Sequence, residues 1–90
     1  MSNIKCFTNE NFAVLSYLFD IKDNNNESRI SQQELGDKLG MSRVSINKII
    51  KQLKKEEYIT MDSSYMSKYT LTEKAISAVS MFRKSDNKNG

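Results

Sequence analysis

Apolar positions along the chain follow a helical period, then an alternating one, then a helical one again. Phe12, Leu15, Leu18 and Phe19 recur at 3.6-residue spacing with Val14 and Ile21 beside them, predicting a helix α1 from about Asn9 to Ile21. Its apolar coverage is broad, as burial on two sides would require. DNNNES, residues 23–28, has no apolar side chain and reads as an exposed loop. Leu35 and Leu39 mark a short helix α2 from about Gln32 to Leu39, followed by Gly40, where a helix end favours a residue able to take positive φ. Gly40, Met41 and Ser42 alone separate α2 from a third helix, α3, in the stretch MSRVSINKIIKQLKK, and so tight a joint makes the two cross steeply.

After α3 the period shortens. YITM at 58–61 and YMSKYTL at 65–71 are rich in Tyr, Thr and Ile and flank Asp62, Ser63 and Ser64, which predicts a β-hairpin of strands β2 and β3. Ile30, just before α2, is placed to add a very short strand β1. A last helix, α4, is predicted from about Glu73 to Arg83, with Ala75, Ile76, Ala78, Val79 and Phe82 inward or facing a partner. The polar KSDNKNG that follows lacks periodicity and reads as a disordered tail. The expected organisation is therefore an N-terminal arm, 1–8, one domain, 9–83, and a tail, 84–90.

The helix starts are written with one device. An N-cap Ser or Thr accepts a bond from a first-turn amide, and the residue before it packs on the residue four after it. Phe7-Thr8 with Phe12, Ile30-Ser31 with Leu35, Met41-Ser42 with Ile46 and Leu71-Thr72 with Ile76 all fit. Glu34, three residues after Ser31, can complete a capping box.

Composition narrows the chemistry. Ninety residues make one domain with a thin core, and no apolar run approaches the roughly 20 residues of a membrane span. MSNIKCFTNE lacks the apolar middle and cleavage site of a secretory signal, so a cytoplasmic location is expected. With Cys6 the only cysteine and no histidine, the common zinc sites and catalytic triads lack their ligands and base. The three glycines are isolated from one another, so no Gly-rich phosphate loop is present. An enzyme, a metal site and a cofactor are not expected.

Charge is distributed unevenly. Lys38, Arg43, Lys48, Lys51, Lys54 and Lys55 lie in an 18-residue stretch with no acidic residue, while the other 72 residues carry eight basic and eleven acidic ones. Solvated helices usually carry compensating Glu or Asp at helical spacing, and their absence here suits a polyanion partner. Within α3, Ile46, Ile49, Ile50 and Leu53 form one stripe, and Asn47, Lys48, Lys51 and Lys55 lie opposite it. Val44 falls among the polar residues.

The stretch ISQQELGDKLGMSRVSINKIIKQLKKEEYIT followed by YTLTEKA resembles the winged helix-turn-helix superfamily, most of all its MarR-like and TubR-like small bacterial or phage branches. The resemblance covers roughly residues 12 to 83 and implies a mainly α fold with a small β-hairpin (α+β), in the order α1-(β1)-α2-α3-β2-β3-α4. The family commonly has glycine where α3 ends before the wing; Glu57 stands there, and either the backbone tolerates about 1 kcal/mol of strain or the helix ends differently. The wing lacks arginine and keeps Lys68, Ser63, Ser64 and Ser67, so its expected contact is weak or confined to phosphate.

The resemblance implies that the N-terminal part of α3 enters the major groove of double-stranded DNA. Arg43, Val44, Ser45, Asn47 and Lys48 are the candidate base contacts: Arg43 for guanine, Asn47 for adenine, and Val44 for a thymine methyl unless it simply covers the edge of α2. Ser31, Lys38, Ser42, Lys51, Lys54, Lys55 and Lys68 are the candidate phosphate contacts. A domain this small reads few base pairs, so a homodimer is expected through α1, α4 or both, with Phe12, Leu15, Tyr17, Phe19, Val79 and Phe82 as interface candidates or ordinary core. The implied role is a small transcriptional repressor. A centromere-binding adaptor of a plasmid or phage partition system, handing DNA to a filament-forming GTPase, has the same element order, and a winged-helix protein-interaction module without DNA binding is a third reading.

Overall fold

A computed structural model describes residues 9–61 and 67–89. The order is α1 (Asn9–Ile21), β1 (Glu27–Arg29), α2 (Gln32–Leu39), α3 (Arg43–Lys55), β2 (Ile59–Met61), β3 (Lys68–Leu71) and α4 (Glu73–Asn89), that of a winged helix-turn-helix. The Thr8 cap and the wing turn at Asp62, Ser63 and Ser64 lie outside the described residues.

The remaining caps form as local chemistry dictates. Ser31 Oγ accepts from the Glu34 amide at 3.0 Å, Ser42 Oγ from the Ser45 amide at 3.1 Å, and Thr72 Oγ1 from the Ala75 amide at 3.2 Å. Gly40 ends α2 at φ 68, as its position predicted. α4 continues to Asn89, past the Arg83 boundary expected from the loss of apolar spacing. Residues 84–89 contain neither glycine nor proline, so the backbone can continue helical without an apolar stripe.

The sheet is three-stranded and antiparallel with β3 central, in the order β1-β3-β2. Tyr69 pairs with Ser28 on one side and Met61 on the other. β1 sits at residues 27–29, so part of the segment expected to be an exposed loop is a strand. Its inward residue is a wholly buried serine, which hides the strand from any apolar pattern. Ser28 Oγ donates to the Leu18 carbonyl of α1 at 2.6 Å, satisfying the buried hydroxyl and joining helix to sheet.

The strand is entered through a tight loop. Asp23 Oδ1 accepts from the amides of Asn25 (2.9 Å) and Glu27 (3.0 Å). These bonds hold its carboxyl below the usual carboxylate range, the Glu27 amide having the largest effect.

The core lies between α1, the inner stripe of α3 and the sheet, with Val14, Leu15, Leu18, Leu35, Ile46, Leu53, Ile59 and Tyr69 wholly buried. Val14 is therefore central rather than flanking, while Phe12 and Phe19 are only partly buried. Arg83 of α4 reaches Ser16 Oγ and Asp20 Oδ1 of α1, both at 2.7 Å, with its guanidinium 5.0 Å from the Phe19 ring centre. Among the described residues, no helix is long and apolar enough to cross a membrane.

The end of α3 settles the question raised by Glu57, which does adopt positive φ, 65°. The Tyr58 amide donates to the Leu53 carbonyl at 2.9 Å and the Glu57 amide to the Lys54 carbonyl at 3.0 Å. These two bonds are those of a Schellman ending, with Tyr58 and Leu53 both buried beneath it. The Glu57 carbonyl also accepts from Thr72 Oγ1 at 2.7 Å, and the Glu56 carbonyl from Lys74 Nζ at 2.8 Å, so the first turn of α4 secures the strained turn. Glu57→Gly is expected to raise stability by about 0.5–1 kcal/mol, relief of the left-handed strain less the extra freedom glycine has when unfolded. Urea unfolding measures it, and an unchanged or lower midpoint would show that Glu57 is not strained.

Candidate nucleic-acid interface

α3 offers two surfaces with different work. Ile46, Ile49, Ile50 and Leu53 are buried against the core, and the cap at Ser42 fixes where the first turn begins. The opposite side is exposed at Arg43, Val44, Lys48, Lys51, Lys54 and Lys55. Val44 is 71% exposed, so it is neither core nor a cover for α2. An apolar residue so placed in a helix's first turn has its methyl groups available to a ligand.

An open groove of about 600 Å³ starts at this turn. Arg43, Val44, Asn47 and Lys48 form the α3 side, Ser31, Gln32 and Gln33 the start of α2, and Ser67 the base of the wing. Four of the five residues selected as base contacts thus share one surface. Ser45, the fifth, is half-buried, and its hydroxyl accepts from Ser42 Oγ at 3.1 Å, so both serines serve the cap.

Asn47 is half-buried, and its Nδ2 donates to Gln32 Oε1 at 3.3 Å. Gln32 and Gln33 were not selected from the sequence, because neutral polar residues leave no mark in a charge or hydropathy pattern, whereas Ser67 was among the wing residues expected to make a weak contact. Only the cap at Ser31 hinted that the start of α2 faces this side.

The phosphate candidates divide. Lys51, Lys54 and Lys55 are exposed along α3, and Lys38 is exposed in the last turn of α2. Lys68 lies elsewhere: its Nζ is 3.4 Å from Glu27 Oε2 across the β1–β3 pair, and its side chain is largely covered. Lys68, a phosphate candidate of the wing, is thus engaged with Glu27 in this structure.

The dimer candidates divide too. Leu15 and Val79 are wholly buried within the core, which leaves them no side-chain surface for a partner. Phe12 and Phe82 pack on each other with ring centres 4.9 Å apart, and Phe82 remains 40% exposed. Tyr17 and Phe19 are partly buried at the edge of the core, and Met81, 69% exposed, extends the apolar surface of α4 in a way the sequence reading omitted.

Residues 13–74 match the Crp-like helix-turn-helix domain family. No curated protein matches the chain by sequence. Solved structures match its fold. MepR, a transcription regulator of the Staphylococcus aureus multidrug efflux pump MepA, is 19% identical with a TM-score of 0.74, over 90% of this chain and 58% of that one. The adhesin competence repressor AdcR of Streptococcus pyogenes is 23% identical with a TM-score of 0.68, over 91% and 58%. ZitR of Lactococcus lactis is 22% identical with a TM-score of 0.69, over 99% and 65%. The chain thus spans about three-fifths of the length of these proteins.

Proposed function

We propose, from the premise that this chain belongs to the Crp-like helix-turn-helix domain family, that it binds double-stranded DNA and acts as a small transcriptional regulator, a repressor. The observation that carries this reading is the exposed, acid-free face of α3, whose first turn opens the groove with Arg43, Val44, Asn47 and Lys48. A helix N-terminal turn of that shape fits the major groove, where guanine presents O6 and N7, adenine N6 and N7, and thymine its methyl group. Arg43 is assigned to guanine, Asn47 to adenine and Val44 to thymine. Lys51, Lys54 and Lys55 are assigned to phosphates. MepR has also been solved as a DNA complex, which supports carrying this role to a chain of the same fold.

A homodimer completes the reading, because two copies place two recognition helices about 34 Å apart on one face of the duplex. The exposed Met81 and Phe82 of α4, with Phe12 of α1 packed on Phe82, support an interface there. Sedimentation as a monomer at every concentration would remove the dimer from this reading.

Duplex-binding titrations across salt concentrations test the main claim. Lys51→Ala is expected to weaken all sequences alike and to reduce the slope of log affinity against log salt by about 0.9. Arg43→Ala is expected to lose about 1–3 kcal/mol of discrimination at one base pair. Wild-type protein that binds no duplex at low salt would overturn the assignment.

A further inference from the structure

Behind the reading face lies a polar pair unlike the rest of the groove. Asn47 on α3 gives one amide hydrogen to Gln32 Oε1 at the start of α2.

The chemistry of the two groups fits one order. A carboxamide can turn over and exchange its oxygen and nitrogen with almost no change of shape, so packing alone does not fix which edge Asn47 presents. Gln32 Oε1 is an acceptor with two lone pairs. It receives Asn47 Nδ2 on one of them. With Nδ2 so held, Asn47 shows the groove its carbonyl oxygen and its second amide hydrogen. Those complement N6 and N7 of adenine, whereas the two acceptors of guanine would oppose the carbonyl.

We propose that Gln32 is a specificity-determining positioning residue, which fixes the orientation of the Asn47 carboxamide. The proposal rests on the assignment of Asn47 to a base. It makes selectivity at that base pair depend on a side chain of α2.

The test is the ratio of affinities for a bound duplex and for the same duplex with A·T changed to G·C at the pair whose preference Asn47→Ala abolishes. Gln32→Met, which keeps the length and removes the carboxamide, is expected to lower that ratio about tenfold, within the range for one bidentate contact, with the salt slope unchanged. Gln32→Glu, which keeps an acceptor, is expected to retain the ratio even if all affinities fall with the added negative charge. Gln32→Met combined with Asn47→Ala is expected to match Asn47→Ala alone. Were Gln32→Met to weaken both duplexes by one factor, or to add fully to Asn47→Ala, this proposal would fail while the Asn47 assignment stood. If Asn47→Ala altered no base preference, both would fall.

Discussion

Leu53→Ala is expected to lower the unfolding free energy by about 2–5 kcal/mol, the cost of removing a buried leucine and leaving part of its space empty. A 90-residue domain has roughly 5–13 kcal/mol in total, so the variant would lose a large share of its stability. Leu53 is wholly buried, and its carbonyl receives the Tyr58 amide that ends α3. The side chain therefore supports both the core and the exit into β2, and little around it is free to collapse into the gap. Urea unfolding with an unchanged slope and a lowered midpoint is the expected observation. A loss below 1 kcal/mol would mean that the α3–sheet junction repacks readily, and that the Schellman ending does not depend on the leucine beneath it.

Gly36→Ala is expected to cost about 1–3 kcal/mol, and more if the turn cannot move. A Cβ at Gly36 would stand 2.6 Å from the Met41 carbonyl oxygen, a backbone atom that cannot swing aside as a side chain can. The requirement is one of space at the crossing of α2 and α3. Gly40 shows the contrast, with nothing near its missing Cβ and a φ of 68° as its only demand. Moving the Met41 carbonyl disturbs the bond from the Met41 amide to the Gly36 carbonyl (2.9 Å) and with it the angle at which α3 leaves the turn. Duplex affinity should consequently fall by more than the stability loss explains, measured where the variant is still fully folded. If Gly36→Ala were as stable as wild type, the close approach of the two helices would have to relax without cost.

Features specified by neighbours in sequence were legible in the sequence, and features specified by neighbours in space were not. The caps at Ser31, Ser42 and Thr72 each need one hydroxyl and an amide three residues on, and the structure has all three bonds. The bounds of α1 and α2 agree with the apolar period and Gly40. β1 was expected at Ile30 and lies at Glu27–Arg29 instead, because its inward residue is Ser28, whose burial becomes tolerable only through the Leu18 carbonyl ten residues away. Glu57 was doubtful because the groups that secure its carbonyl and the one before it, Thr72 and Lys74, come from α4. At the candidate site, periodicity selected the exposed side of α3, including Val44, but had no means of finding Gln32 or Gly36. The first contributes a neutral amide from another helix, and the second matters for the atom it lacks.

The position of β3 between β1 and β2 has a consequence for how this chain can be divided. Neither outer strand touches the other, and the residues that pair with both come after the helix-turn-helix in the chain. A fragment ending at Lys55 would keep the residues of α1, β1, α2 and α3 yet strip β1 of its pairing with β3 and remove Ile59, Tyr69 and Val79 from the core that Leu18, Ile46 and Leu53 share with them. Synthesis from the N-terminus would therefore finish the recognition helix well before that helix has anything to rest on. The helix-turn-helix here is a region of a cooperative unit, and it becomes a defined surface only when the last third of the chain has arrived.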